Sequence, residues 1–179
     1  MKNFKLISSN HPVSTFLGEI ESVDNAWSLN QGRQSKIKVQ REAQAIPIRG
    51  MVKSKIAGRK NWDVHESRFT TISKQFPIIR TYLQELASSL NGELSRAKIV
   101  RLNPGHKVYP HIDRGEYYKM RNRYHLVFYN EEGNILKCGD EECWLRPGEL
   151  WWFDNKKVHE AWNESRSPRI HFIFDLLPH

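Results

Sequence analysis

The stretch Arg146–Leu176, RPGELWWFDNKKVHEAWNESRSPRIHFIFDL, decides the fold. It holds three short runs, Glu149–Phe153, Val158–Trp162 and Arg169–Leu176, rich in Val, Ile, Trp and Phe. Turn formers divide them, Pro147-Gly148 before the first run and Asp154-Asn155 after it. Aromatic and β-branched runs between such punctuators read as strands. Working outward, the same signature recurs at Ala97–Leu102, Arg123–Tyr129, Asn134–Cys138 and Cys143–Arg146, separated by Asn103-Pro104-Gly105, Glu132-Gly133-Asn134 and Gly139-Asp140. Many short strands at this spacing predict a mainly β chain, built as a sandwich or barrel. A further strand pair is predicted at Ser35–Arg41 and Ala43–Arg49.

Two segments have the other period. Val13, Phe16, Leu17, Ile20 and Val23 follow helical spacing, with Ser14 or Thr15 available near the start; Phe76, Ile79, Leu83, Leu86 and Leu90 do the same. Pro77 suits the first turn of the second helix and Gly92 its left-handed exit. Each helix is expected to lay an apolar stripe on the β core. With no repeat or Ser/Gly linker, the 179 residues are read as one domain. Residues 1–95 would hold the helices, the early strands and a basic loop, and residues 96–179 the β core.

Composition excludes several classes. Hydrophobic residues are 39 % and charged residues 27 %, a foldable balance rather than a disordered one. Two cysteines, Cys138 and Cys143, do not make a disulfide scaffold and supply half of a zinc site, so free thiols are expected. No apolar run approaches a membrane span. The start, MKNFKLISSNHPV, lacks the apolar core of a secretory signal, so a cytoplasmic setting is expected.

The net charge of +8 is local: Gln31–Lys60 carries nine basic residues and one acid, Glu42, and the rest of the chain is balanced. Such a face attracts anions, whether small acids, acidic proteins or nucleic acid. Gly50–Arg68 has no clean period and reads as a long basic loop. Its Arg59-Lys60-Asn61-Trp62 mixes cations with an aromatic, so Arg59 and Trp62 are candidate substrate contacts.

His111-Ile112-Asp113 puts an imidazole and a carboxylate two residues apart, on one face if the chain is extended. Together they could chelate a metal, with His159 after the Asp154–Lys157 turn as the third ligand. Two histidines and one carboxylate form the facial triad of non-haem Fe(II) oxygen activation, leaving three positions open. Arg169, in the last strand, could take one end of a dicarboxylate bidentately. Arg123 and His125 share a strand face, and His171 is in phase with Arg169 and could line the substrate side.

Three segments, LNPGHKVYPHID (Leu102–Asp113), RNRYHLVF (Arg121–Phe128) and Arg146–Leu176, give the chain a family likeness. It resembles the aspartyl/asparaginyl β-hydroxylases, a family that includes stand-alone bacterial proline hydroxylases. The resemblance implies a double-stranded β-helix (a jelly roll, cupin-like) that uses Fe(II), 2-oxoglutarate and dioxygen. It implies a hydroxylase for an amino-acid side chain, free or in a peptide or protein, with release of succinate and CO2. His111 and His159 match the iron-binding histidines, and Arg169 the arginine on the distal carboxylate of 2-oxoglutarate. Arg123 and His125 match the pair at the proximal carboxylate end. Two departures stand out: Asp113 completes a triad that the best-known animal member lacks, and Val100 replaces a serine that helps hold the cosubstrate. Two other readings keep the barrel: a cupin-like binding or sensor module without turnover, and a nucleic-acid base oxygenase using Gly50–Arg68 as its contact loop.

Overall fold

A computed structural model describes residues 1–30, 38–54, 56–60 and 63–179. Its strands are β1 (Phe4–Ser8), β2 (Ala43–Met51), β3 (Ser67–Phe69), β4 (Gly92–Leu102), β5 (Lys107–His111), β6 (Asn122–Tyr129), β7 (Asn134–Cys138), β8 (Glu141–Cys143), β9 (Leu150–Phe153), β10 (His159–Asn163) and β11 (Arg169–Pro178). They form a seven-stranded sheet in the order β1-β9-β6-β11-β4-β2-β3 and a four-stranded sheet in the order β5-β10-β7-β8. The pairings are antiparallel. This is the expected jelly-roll arrangement, and the two predicted helices are present as α1 (Val13–Glu21) and α2 (Pro77–Ser89). A four-residue helix, α3, covers Glu116–Lys119.

The period-2 alternation of the strands divides the interior into two cores. On the large sheet's outer face, Ile46, Ile99, Leu126, Phe172 and Phe174 meet Phe16 and Ile20 of α1 and Ile79 and Leu83 of α2. Between the sheets lie Phe4, Val127, Leu136, Trp151, Phe153 and Ala161. Each fully buried Phe or Leu contributes roughly 1.5–3 kcal/mol. The same alternation turns Arg169, His171, Ile173 and Asp175 of β11 to the side away from the helices.

The helix ends differ from the sequence reading. Neither Ser14 nor Thr15 caps α1, which starts at Val13 after Pro12 with no side-chain cap. The cap of interest serves α2: the Glu19 carboxylate, on α1, accepts the N–H groups of Ile78 (2.6 Å) and Ile79 (2.9 Å). The left-handed exit belongs to Asn91 (φ 49°), not Gly92. Asn tolerates that region because its short amide makes local hydrogen bonds. Gly92 instead opens β4, where an added Cβ would lie 3.0 Å from Leu176 Cβ.

Of the predicted Ser35–Arg41 strand, residues 35–37 lie outside the described residues, and Lys38–Gln40 is a 3₁₀ turn. It is held by β5, since Glu42 accepts Lys107 N–H (2.8 Å) and the Tyr109 hydroxyl while Arg41 donates to Tyr109 (2.9 Å). The partners of β2 are therefore β3 and β4. The strand predicted at Cys143–Arg146 sits earlier, at Glu141–Cys143, and the basic loop ends in β3. Strands β1 and β5 have no counterpart among the expected strands. Pro110 argues against a strand at β5, but the strand is at a sheet edge, where a missing donor is tolerated. Cys138 and Cys143 are free thiols. No helix among the described residues is long and apolar enough to cross a membrane.

Candidate active site

Sheet register brings the two histidines together: His111, ending β5, is paired across the ladder with His159, opening β10. Their ring centroids are 4.2 Å apart. Each ring is oriented by a backbone carbonyl two residues upstream. His111 Nδ1 lies 2.7 Å from the Tyr109 oxygen and His159 Nδ1 2.9 Å from that of Lys157. A carbonyl can only accept, so each Nδ1 carries the proton and each Nε2 presents its lone pair. Burial favours the neutral form of both rings. It lowers the His111 pKa, and with the neighbouring His111 it lowers that of His159 to about 4.

Asp113 follows β5, and its own N–H donates to the Asn155 carbonyl at 3.2 Å. Its Oδ2 accepts Arg123 Nη1 (2.5 Å) and Asn155 Nδ2 (2.9 Å). Burial pushes the Asp113 carboxyl up, but Arg123, His159 and Asn155 outweigh it and hold it below the usual carboxylate range. Ligand atoms of His111, Asp113 and His159 all lie within 4.8 Å of one another. Two imidazoles with free Nε2 atoms and a carboxylate fit a divalent transition metal, and each ligand has an outer hydrogen bond fixing it.

The same pocket is lined by Arg169, Arg123, His125, Lys98, Val100 and Phe153, among others. Arg169 is buried, and burial lowers its pKa to about 10. Its contacts are the two ring nitrogens of His171, at 3.2 and 3.1 Å, and no carboxylate pairs with it among the described residues. A buried guanidinium without a counter-ion is costly, so this end of the pocket is built to receive an anion.

Of the six metal and cofactor candidates, His111, His159, Arg169 and His125 line one pocket, and Asp113 joins the two histidines through its carboxylate. The sixth, Arg123, lines the pocket too, but its guanidinium is engaged by Asp113 and by Asp175. His171 is 1 % exposed and bonded to Arg169 and to His125 (Nδ1 to Nδ1, 3.2 Å). It braces these two residues from within the core and does not line the pocket. Arg59 is not among the lining residues, and Trp62 lies outside the described residues. Val100 takes a wall position, as Lys98 and Gln40 also do.

Sequence reasoning missed Lys98, Gln40, Asn155 and Asp175. Asp175 had left a signal, since it continues the Arg169, His171 phase along an otherwise apolar strand. In the sequence Asn155 is a turn former, and nothing local points to its bond with Asp113.

The family model described as aspartyl/asparaginyl beta-hydroxylase matches residues 33–178. An L-proline cis-4-hydroxylase of Rhizobium meliloti is 30 % identical over 109 residues, covering 60 % of this chain and 38 % of the relative. The human aspartyl/asparaginyl beta-hydroxylase is 28 % identical over 104 residues, covering 58 % of this chain and 13 % of the relative. The chain thus matches well under half the length of either curated relative. Among solved structures, a Trichoplax adhaerens prolyl hydroxylase in complex with a hypoxia inducible factor peptide superposes with a TM-score of 0.59. It is 14 % identical, and the match covers 98 % of this chain and 83 % of that one.

Proposed function

The chain belongs to the aspartyl/asparaginyl beta-hydroxylase family, and from that premise we propose that it is an Fe(II)- and 2-oxoglutarate-dependent hydroxylase of an amino-acid side chain, free or in a peptide or protein. One observation carries this reading: the donors of His111, Asp113 and His159 converge, and the two histidines line one pocket with a buried Arg169 that no carboxylate pairs with among the described residues.

The three donors would hold Fe(II), and Arg169 would grip the distal carboxylate of 2-oxoglutarate. With dioxygen, the bound metal and cosubstrate supply the oxidising power, yielding succinate, CO2 and a hydroxylated product. The protein's part is positioning and exclusion of water. Tyr109 and Lys157 fix the imidazole tautomers, and Phe153, edge-on to both His125 and His159, gives the pocket an apolar wall. His125, neutral through burial and the nearby Arg169 charge, lines the cosubstrate end without adding a cation.

Lys98 on the pocket wall and the basic Gln31–Lys60 stretch favour a substrate bearing an acidic group. The chain acts as one domain, and its two free thiols suit the reducing cytoplasm.

The test is anaerobic addition of Fe(II) and then 2-oxoglutarate, read by visible absorption. A charge-transfer band that needs both components and disappears in His111→Ala is the expected result. A folded, metal-loaded protein without the band would overturn the reading. Succinate release in a screen of amino acids and peptides, acidic ones included, then identifies the substrate.

A further inference from the structure

Asp175 lies beyond the predicted triad and touches no predicted ligand. It is 2 % exposed on β11, and sheet register pairs it directly with Arg123 on β6. Its two oxygens accept Arg123 Nε at 2.8 Å and Nη2 at 3.0 Å. A bidentate pair of this kind fixes the plane of a guanidinium as well as its position. With Nε and Nη2 so engaged, Nη1 is aimed at Asp113 Oδ2, which it meets at 2.5 Å. The Tyr117 hydroxyl secures Asp175 in turn, donating to Oδ2 at 3.1 Å while accepting Arg96 N–H at 3.0 Å. Tyr117 is fully buried.

Asp113 needs such a device. It stands past the end of β5, where no ladder fixes its side chain. Arg123 and Asn155 both bind Oδ2, and no hydrogen bond among the described residues reaches Oδ1. The clamped oxygen is also the one 3.9 Å from His159 Nε2, so the clamp sets the carboxylate against the imidazole it would share a metal with.

We propose that Asp175 is a positioning residue for the metal centre: through Arg123 it holds the Asp113 carboxylate in place beside His159. Arg123 thereby acts as a rigid bridge between two carboxylates in addition to lining the pocket. The inference rests on the proposed metal site and goes beyond it, because Asp175 is neither a ligand nor a cosubstrate contact.

The experiment uses Co(II) as the probe, titrated into the purified full chain and followed by its visible spectrum. Asp175→Asn, of equal size, is expected to weaken Co(II) binding about 10- to 100-fold, the range for lost outer-shell partners. A double-mutant cycle separates positioning from bulk destabilisation. In an Asp113→Ala background, Asp175→Asn should weaken Co(II) binding no further, because its route to the metal is gone. An equal loss in both backgrounds would overturn the proposal, as would unchanged affinity in Asp175→Asn. If Asp175→Asn does not fold, Tyr117→Phe, which removes the hydroxyl that secures Asp175, carries the same cycle with the same outcomes. Wild-type protein that takes up no Co(II) would instead overturn the metal site itself, and this inference with it.

Discussion

Arg169 and His171, two residues apart on β11, share a face, and the guanidinium lies against both ring nitrogens of the imidazole, at 3.2 and 3.1 Å. A buried cation is thus braced by a neutral ring and left, among the described residues, without a negative partner. The arrangement is poor for stability and good for capturing an anion. Arg169→Met should stabilise the ligand-free protein by about 1–4 kcal/mol, the range seen when buried ionic groups give way to apolar ones. It should also abolish the rise in thermal stability that 2-oxoglutarate gives the Mn(II)-loaded wild type. A melting temperature that drops in the variant, or a 2-oxoglutarate shift that persists, would place the anion site elsewhere.

His125 and His171 predict how stability depends on pH. Burial, reinforced by Arg169, holds both well below the ordinary histidine range, so the folded protein keeps them neutral. In the unfolded chain they titrate near 6.5. Below that pH the unfolded state takes up protons that the folded state refuses. Their contribution is intact above about pH 6.5 and declines beneath it, by up to about 1.4 kcal/mol per pH unit for each ring. Denaturation midpoints between pH 7.5 and 5.5 should fall, and the slope should flatten in His125→Gln/His171→Asn. Equal slopes for wild type and variant would show that these rings do not carry the effect.

Glu19 ties the two helices together away from the site. Its carboxylate satisfies two N–H groups in the first turn of α2, where backbone donors otherwise lack partners. Glu19→Ala is expected to cost about 1.5–3 kcal/mol, as loss of charge-assisted bonds does. Co(II) affinity should stay unchanged, since the helices back the far face of the large sheet. Urea denaturation beside a metal titration checks both halves.

Gly92→Ala should also destabilise, by about 1–3 kcal/mol through overpacking. The new methyl would press on Leu176 Cβ at 3.0 Å and the Leu177 carbonyl at 3.3 Å. The two contacts are within the β4–β11 ladder, which has little room to give. A denaturation midpoint equal to wild type would show that the ladder relaxes.

What the sequence disclosed follows from periodicity and spacing. The apolar phases of Phe172/Phe174 and of Ile79/Leu83 are local signals, and both landed in the helix-facing core. His111, Asp113 and His159 were readable because a triad needs fixed residue types. Residues whose neighbours are remote in sequence were hidden. Glu19 caps a helix about sixty residues away, and Asp175 meets Arg123 across 52 residues. The β1 strand is completed only by β9, from the other end of the chain. Gly92 followed a sound rule for helix exits, but Asn91 met the requirement one residue earlier and tertiary crowding claimed the glycine.

The site is divided between two sheets: His111 and His159 ride on the four-stranded one, Arg169 on the seven-stranded one. What sets the span between them is the thickness of the filling, namely Phe153, Leu136, Trp151 and their neighbours. The sandwich is therefore a gauge, and a diacid bridging both ends is measured against the girth of apolar side chains that offer it no hydrogen bond. Trimming or enlarging those side chains would change the preferred chain length of the diacid while leaving every ligating atom in place.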